Sequence, residues 1–147
     1  DYICFTGSTG TGRKVAEAAA RALIPANLEL GGKDPLIVAA SADPVHAASI
    51  ALRASVVAAG QACQSIERVY VARAIAEPFL AELVRAAAEV DAGDLGPFIF
   101  PAQADKVAAQ LAEARAKGAR VLSGGTVEIR GGGRYLQPTI VTDVTWD

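Results

Sequence analysis

Two side chains in this sequence are of types that carry acyl chemistry, and each sits beside glycines. Cys63 lies in Gly60-Gln61-Ala62-Cys63-Gln64-Ser65, just past a helix-ending glycine and between polar neighbours. A thiolate there can attack a carbonyl carbon once a base has taken its proton. A small side chain filling a turn is the commoner role for such a residue. Glu29 lies in Leu28-Glu29-Leu30-Gly31-Gly32-Lys33. In an apolar site its pKa would rise, and it could serve as a general base near neutral pH. The plainer alternative is an edge-strand carboxylate in water, or one paired with Lys33. Taken singly, both residues leave both readings open.

A third feature is Gly7-Ser8-Thr9-Gly10-Thr11-Gly12. A strand feeding a Gly-rich turn that opens a helix can bind phosphate, because the backbone approaches closely and the helix end offers unpaired N–H groups. Gly7 and Gly12 have the spacing of a Walker A loop. However, Arg13 stands where its lysine belongs and Lys14 where its Ser or Thr belongs, which excludes that nucleotide triphosphatase loop. The glycine order also differs from the dinucleotide fingerprint. An ordinary strand-to-helix turn remains the alternative. Cys4, between Ile3 and Phe5, reads as a core thiol. His46, the only histidine, has no partner at ligand spacing, so no metal site is expected.

The elements that must position these residues alternate between strand and helix. Tyr2 to Phe5 reads as a strand and Arg13 to Leu23 as a helix, ended by Pro25. Asn27 to Leu30 is extended. Pro35 to Ala39 is a continuous apolar run, which predicts a fully buried parallel strand. Asp43 is the expected N-cap of a helix opened by Pro44 and running to about Ala58. Val69 to Val71 reads as a strand, Ile75 to Val90 as an amphipathic helix, and Asp91 to Pro101 as a loop. Ala102 to Lys117 is a helix closed by Gly118. Val121-Leu122 is a short strand, Gly131 to Gly133 a turn between two more, and Pro138 to Val141 the last extended piece. The class is therefore α/β with parallel pairing.

Length and charge narrow the functions. The 147 residues suit one ordinary domain, with 52% hydrophobic and 20% charged residues, so a core can form. A formal charge of −2 lacks the basic footprint of a nucleic-acid binder. No apolar run approaches the roughly 20 residues of a membrane span. Two dispersed cysteines suit a reducing compartment, and a cytoplasmic location is expected. With no methionine and a strand-like opening, the sequence reads as a piece of a longer protein.

Together the weak signals are specific. Phe5-Thr6-Gly7-Ser8-Thr9, Leu28 to Lys33 and Gly60-Gln61-Ala62-Cys63, in that order and at those separations, resemble the aldehyde dehydrogenase superfamily. Leu95-Gly96-Pro97, Gly118-Ala119, Gly124-Gly125 and Gln137-Pro138-Thr139 extend the likeness over the whole chain. The resemblance implies oxidation of an aldehyde to a carboxylic acid with NAD or NADP. Cys63 would match the nucleophile that forms a thiohemiacetal and then a thioester, and Glu29 the base that activates the hydrolysing water. Gly7, Ser8, Thr11, Gly12 and Leu30 would match the cofactor side of the site. Gln103 and Lys106 would fall near the nicotinamide-side ribose. It also implies that residues 1–31 end a Rossmann-type cofactor domain and that 32–147 form most of an α/β catalytic domain. An upstream asparagine, an upstream lysine and a downstream glutamate of the family's site would lie outside these residues, so the piece alone is expected to be inactive. A small aldehyde substrate and a homo-oligomeric parent are implied. Two other readings stand beside it: a nucleotide-binding module in which Cys63 and Glu29 are bystanders, and a relative that acylates coenzyme A. Glu29 argues against the latter, since acyl transfer to coenzyme A needs no activated water.

Overall fold

The computed structural model describes residues 1–145, among which lie eight strands and five α-helices. Strand β1 (Ile3–Gly7) leads into helix α1 (Thr9–Arg21), and β2 (Ala26–Leu30) returns parallel to β1. Strand β3 (Asp34–Val38), helix α2 (Pro44–Val56) and β4 (Ile66–Val71) form a second parallel unit. Helix α3 (Ala76–Ala88), the single turn α4 (Ala92–Leu95) and α5 (Pro101–Ala116) follow. The chain then forms β5 (Arg120–Ser123), the hairpin β6 (Val127–Arg130) and β7 (Gly133–Leu136), and β8 (Ile140–Thr142).

Local chemistry explains the helix ends. Ser8 caps α1 and accepts the Thr11 N–H at 3.3 Å. The helix thus starts at Thr9, four residues before the expected Arg13, and Gly10, Thr11 and Gly12 form its first turn. Asp43 caps α2 as expected, accepting the His46 N–H at 2.7 Å, with Pro44 beside it. Gly118, at φ +94°, closes α5 in a conformation that glycine adopts without steric cost.

Three expectations are corrected. Among the described residues, pairing is parallel in β1–β2 and β3–β4 but antiparallel in β6–β7, where the Gly131-Gly132 turn returns the chain directly, and in β5–β8, which pair across that intervening hairpin. The Pro35–Ala39 run is not fully buried. Val38 is 4% exposed, but Ile37 is 78% exposed, since α2 and α3 cover one face of the β3–β4 pair and the other is open. Cys4 is exposed rather than core. Helix α1 packs on the opposite face of β1–β2, where Gly12 meets Leu30, and leaves the Cys4 side uncovered. In addition, the expected loop 91–101 contains α4, capped by the Asp91 carboxylate on the Gly93 N–H.

The core lies between α2, α3 and β3–β4: Val38, Ala48, Ala51, Phe79 and Leu83, with Leu36, Val69 and Val71 against them. Small alanines on α2 let α3 approach closely. Among the described residues, no helix is long and apolar enough to cross a membrane.

Candidate active site

Glu29 sits near the end of β2, with Thr6 as its partner on β1, and Leu30 pairs with Gly7. The C-terminal ends of two parallel strands therefore lie side by side with the N-terminus of α1. Gly31-Gly32-Lys33 then carries the chain to β3. A Cβ on Gly32 would stand 3.9 Å from the Cys63 carbonyl oxygen, so the end of this link touches the cysteine turn. Glu29 is exposed, and the Asn27 amide donates to its Oε1 at 3.3 Å. The alternative pairing with Lys33 is not formed: Lys33 reaches Glu67 at 3.3 Å.

Cys63 occupies the turn between α2 and β4. Its exposed thiol donates to Gln64 Oε1 at 3.2 Å. The turn begins in unusual backbone. Ala58 (φ 50°, ψ 40°), Ala59 (φ 57°, ψ 33°) and Gly60 (φ 70°) are successively left-handed. Each alanine in that region costs about 1–2 kcal/mol. The conformation ends α2 before the expected Ala58 and reverses the chain. Ser65, 1% exposed, closes the turn by donating its hydroxyl to the Val57 carbonyl at 3.2 Å.

Glu29 and Cys63 line one cleft of about 1070 Å³, together with Gly7, Leu30, Gln61 and Gln103. Of the other expected site residues, Ser8 and Thr11 are exposed at the start of α1, and their hydroxyls are 3.0 Å apart. Gly12 is buried: a Cβ there would meet Leu30 Cδ2 at 2.7 Å, so its lack of a side chain serves close helix–strand packing. Lys106 is exposed on α5, and the cleft lining does not include it.

The cleft's β1–β2 end suits a phosphate-bearing cofactor. The first turn of α1 holds no acidic residue, and space is open where Gly10 and Gly31 lack a Cβ. Among the described residues, no group of three or more His, Cys, Asp or Glu side chains is arranged for a metal. Gln61 and the segment 95–100 stand in the sequence only as parts of motifs, with no site role assigned, yet Gln61, Leu95, Gly96 and Phe98 to Phe100 line the cleft. A polar residue two positions before the cysteine was the only signal, and nothing local says where its amide points.

A thiol and a carboxylate thus face one cleft between two parallel β-α-β units, a juxtaposition of the kind acyl-forming enzymes use. The sequence profile of the aldehyde dehydrogenase family matches residues 1–147, and the chain belongs to that family. It is 42% identical to betaine aldehyde dehydrogenase 1 of Rhizobium meliloti, over 97% of this chain and 31% of that protein. The structure assigned as the aldehyde dehydrogenase PutA from Anabaena variabilis superposes with a TM-score of 0.95 at 45% identity, over 99% of this chain and 32% of that one. The NAD+ complex of an aldehyde dehydrogenase from Bacillus cereus gives 0.92 at 33% identity, over 99% and 31%. The chain thus spans about a third of the length of the relatives it matches.

Proposed function

We propose that this chain carries the nucleophile and the base of an NAD(P)-dependent aldehyde dehydrogenase. The observation that carries the reading is that Glu29 and Cys63 line one cleft, with Gly32 against the Cys63 backbone. The Cys63 thiolate attacks the aldehyde carbon, and on this reading its main-chain N–H donates to the developing oxyanion. A nicotinamide dinucleotide, when bound, supplies the hydride acceptor. Gly7, Ser8, Thr11 and Leu30 hold the phosphate-bearing part at the strand ends, and Gln103, which lines the cleft, meets the nicotinamide-side ribose. Glu29 takes a proton from water, which hydrolyses the acyl group on Cys63 and frees the acid. The Gly31-Gly32 link gives the carboxylate side of the cleft its close approach to the thiol side.

Residues 1–31 belong on this reading with a cofactor domain and 32–147 with a catalytic domain. In support, the β1–β2 and β3–β4 sheets are separate and Gly31-Gly32-Lys33 joins them. Exposed Ile37 and Tyr70 on the open face of β3–β4 support further protein covering it, within a homo-oligomeric parent. The 147 residues alone are expected to oxidise no aldehyde.

The test is Glu29→Gln in the full-length protein. The expected result is one fast turnover of reduced cofactor, then a stall with an acyl adduct on Cys63 seen by mass spectrometry. Steady-state turnover should fall by about 10²–10⁴-fold. Cys63→Ala should abolish both phases. Unchanged steady-state turnover in Glu29→Gln removes the base assignment.

A further inference from the structure

One side chain joins the cysteine turn to the cleft wall. Gln61 is half-buried and lies two residues before Cys63. Its Nε2 donates to the Pro97 carbonyl at 3.2 Å, and its Oε1 accepts the Ile99 N–H at 2.9 Å. Both faces of the amide are thus spent on the backbone of one segment, at positions two residues apart. That segment runs from Gly96, at φ +91°, to Pro101 at the start of α5. Its middle is held from the other side, where the Phe98 N–H donates to the Arg134 carbonyl of β7 at 2.8 Å. Phe98, Ile99 and Phe100 line the cleft with Cys63, and Ile99 and Phe100 keep much of their surface exposed.

The cysteine turn needs such an anchor. It leaves the left-handed run Ala58–Gly60 and is pinned at its far end by Ser65 on Val57. Between those points the Cys63 thiol, among the described residues, bonds the adjacent Gln64. The Gln61 clamp ties this turn by hydrogen bonds to an element distant in sequence, at separations of 36 and 38 residues. A glutamine suits the task because one planar group offers a donor and an acceptor. A glutamate would keep the acceptor for Ile99 but set an oxygen against the Pro97 carbonyl.

We propose that Gln61 is a positioning residue for Cys63. It touches no reacting atom. It fixes the distance between the cysteine turn and the 96–100 wall, so that an aldehyde resting on that wall meets the sulfur in attack geometry. The inference rests on the reading of Cys63 as nucleophile.

The test uses Gln61→Leu and Gln61→Glu in the full-length protein, with propanal and NAD+ or NADP+ as probes. In Gln61→Leu, kcat should fall about 10–100-fold with KM for propanal within about threefold. Amide exchange at Ile99 should quicken at least about tenfold. Iodoacetamide labelling of Cys63 should stay within about threefold, because labelling needs an exposed thiol and no cleft geometry. Gln61→Glu should restore Ile99 protection and recover part of kcat. A kcat within twofold of wild type in Gln61→Leu overturns the inference. So does an effect confined to KM, or a loss of kcat without faster exchange at Ile99. If Gln61→Leu shows no melting transition, Gln61→Glu decides, and a kcat within twofold of wild type there overturns it. Labelling of wild-type Cys63 separates the two layers of the argument. If the labelled protein keeps full turnover, the nucleophile reading fails and the inference with it. If labelling stops turnover while the Gln61 variants behave as wild type, only the inference fails.

Discussion

Replacing Gly124 by alanine should destabilise the protein far more than the same change at Gly131, although both residues sit at positive φ. Gly124, at φ +62°, follows β5, and a Cβ there would stand 2.6 Å from Thr139 Oγ1 and 2.8 Å from the carbonyl oxygens of Gln137 and Pro138. Two of those atoms are backbone and cannot swing aside. Pro138 stiffens the chain at that point, and Ile140 is paired with Ser123. The third atom is a hub: Thr139 Oγ1 accepts the Gly125 N–H at 3.0 Å and donates to the Gln137 carbonyl at 2.8 Å. Alanine at positive φ costs about 1–2 kcal/mol. Forcing the two segments apart costs about 1–3 kcal/mol, and losing a hydrogen bond about 1 kcal/mol. Reduced entropy of the unfolded chain returns about 0.4–1 kcal/mol. The net loss is about 2–5 kcal/mol. At Gly131, φ is +55° and no atom lies within 4 Å of the added Cβ, so only the backbone cost and its offset remain, about 0–1.6 kcal/mol. Urea unfolding of both variants, followed by circular dichroism, measures the difference from the midpoints and slopes. Equal losses in the two variants would refute the reasoning, since the clash and the hydrogen bond it breaks are what separate them.

Cys4 is exposed on β1 and does not line the cleft, so Cys4→Ala should leave turnover unchanged and stability within about 0.5 kcal/mol. Lost activity in that variant, or an acyl adduct on Cys4, would remove the assignment to Cys63. Asp91 should titrate below the ordinary carboxylate range. The Gly93 N–H at 2.5 Å is the main cause, followed by Arg130 at 2.9 Å. Its ionised form is favoured by folding, so its contribution is present above the ordinary value of about 3.9 and is lost as pH falls through the lower folded value. Carboxyl resonances followed by NMR should show this midpoint, and Asp91→Asn should lose stability less steeply below about pH 4. A midpoint at or above the ordinary value would refute it.

Much of this protein was legible in local chemistry. Asp43 with Pro44, and Gly118 after a run of alanines, mark helix ends because a cap or a left-handed residue satisfies backbone groups within a few positions. Helical spacing of apolar residues over Ile75 to Val90 located α3, because one face of it packs on the core. Glu29 and Cys63 stood out by type and by their glycines. The helix α1 starts before the expected residue although Gly10 and Gly12 weaken helix propensity; at position 12 packing on β2 favours glycine, because a Cβ there would crowd Leu30.

What the tertiary structure alone decided is which faces are covered and which distant segments meet. The run around Ile37 looks like a buried strand in any window, yet its burial depends on a layer that no local pattern specifies. Cys4 has the neighbours of a core thiol and lies on the face that α1 does not reach. Antiparallel pairing of β5 with β8 depends on the path of the chain between them, not on the strands themselves. The clamp from Gln61 to Pro97 and Ile99 spans more than thirty residues. Residue types and spacing thus determined the chemistry available and the local elements. Long-range packing decided which of those residues share a cleft, because burial and hydrogen-bond partners are properties of the assembled chain.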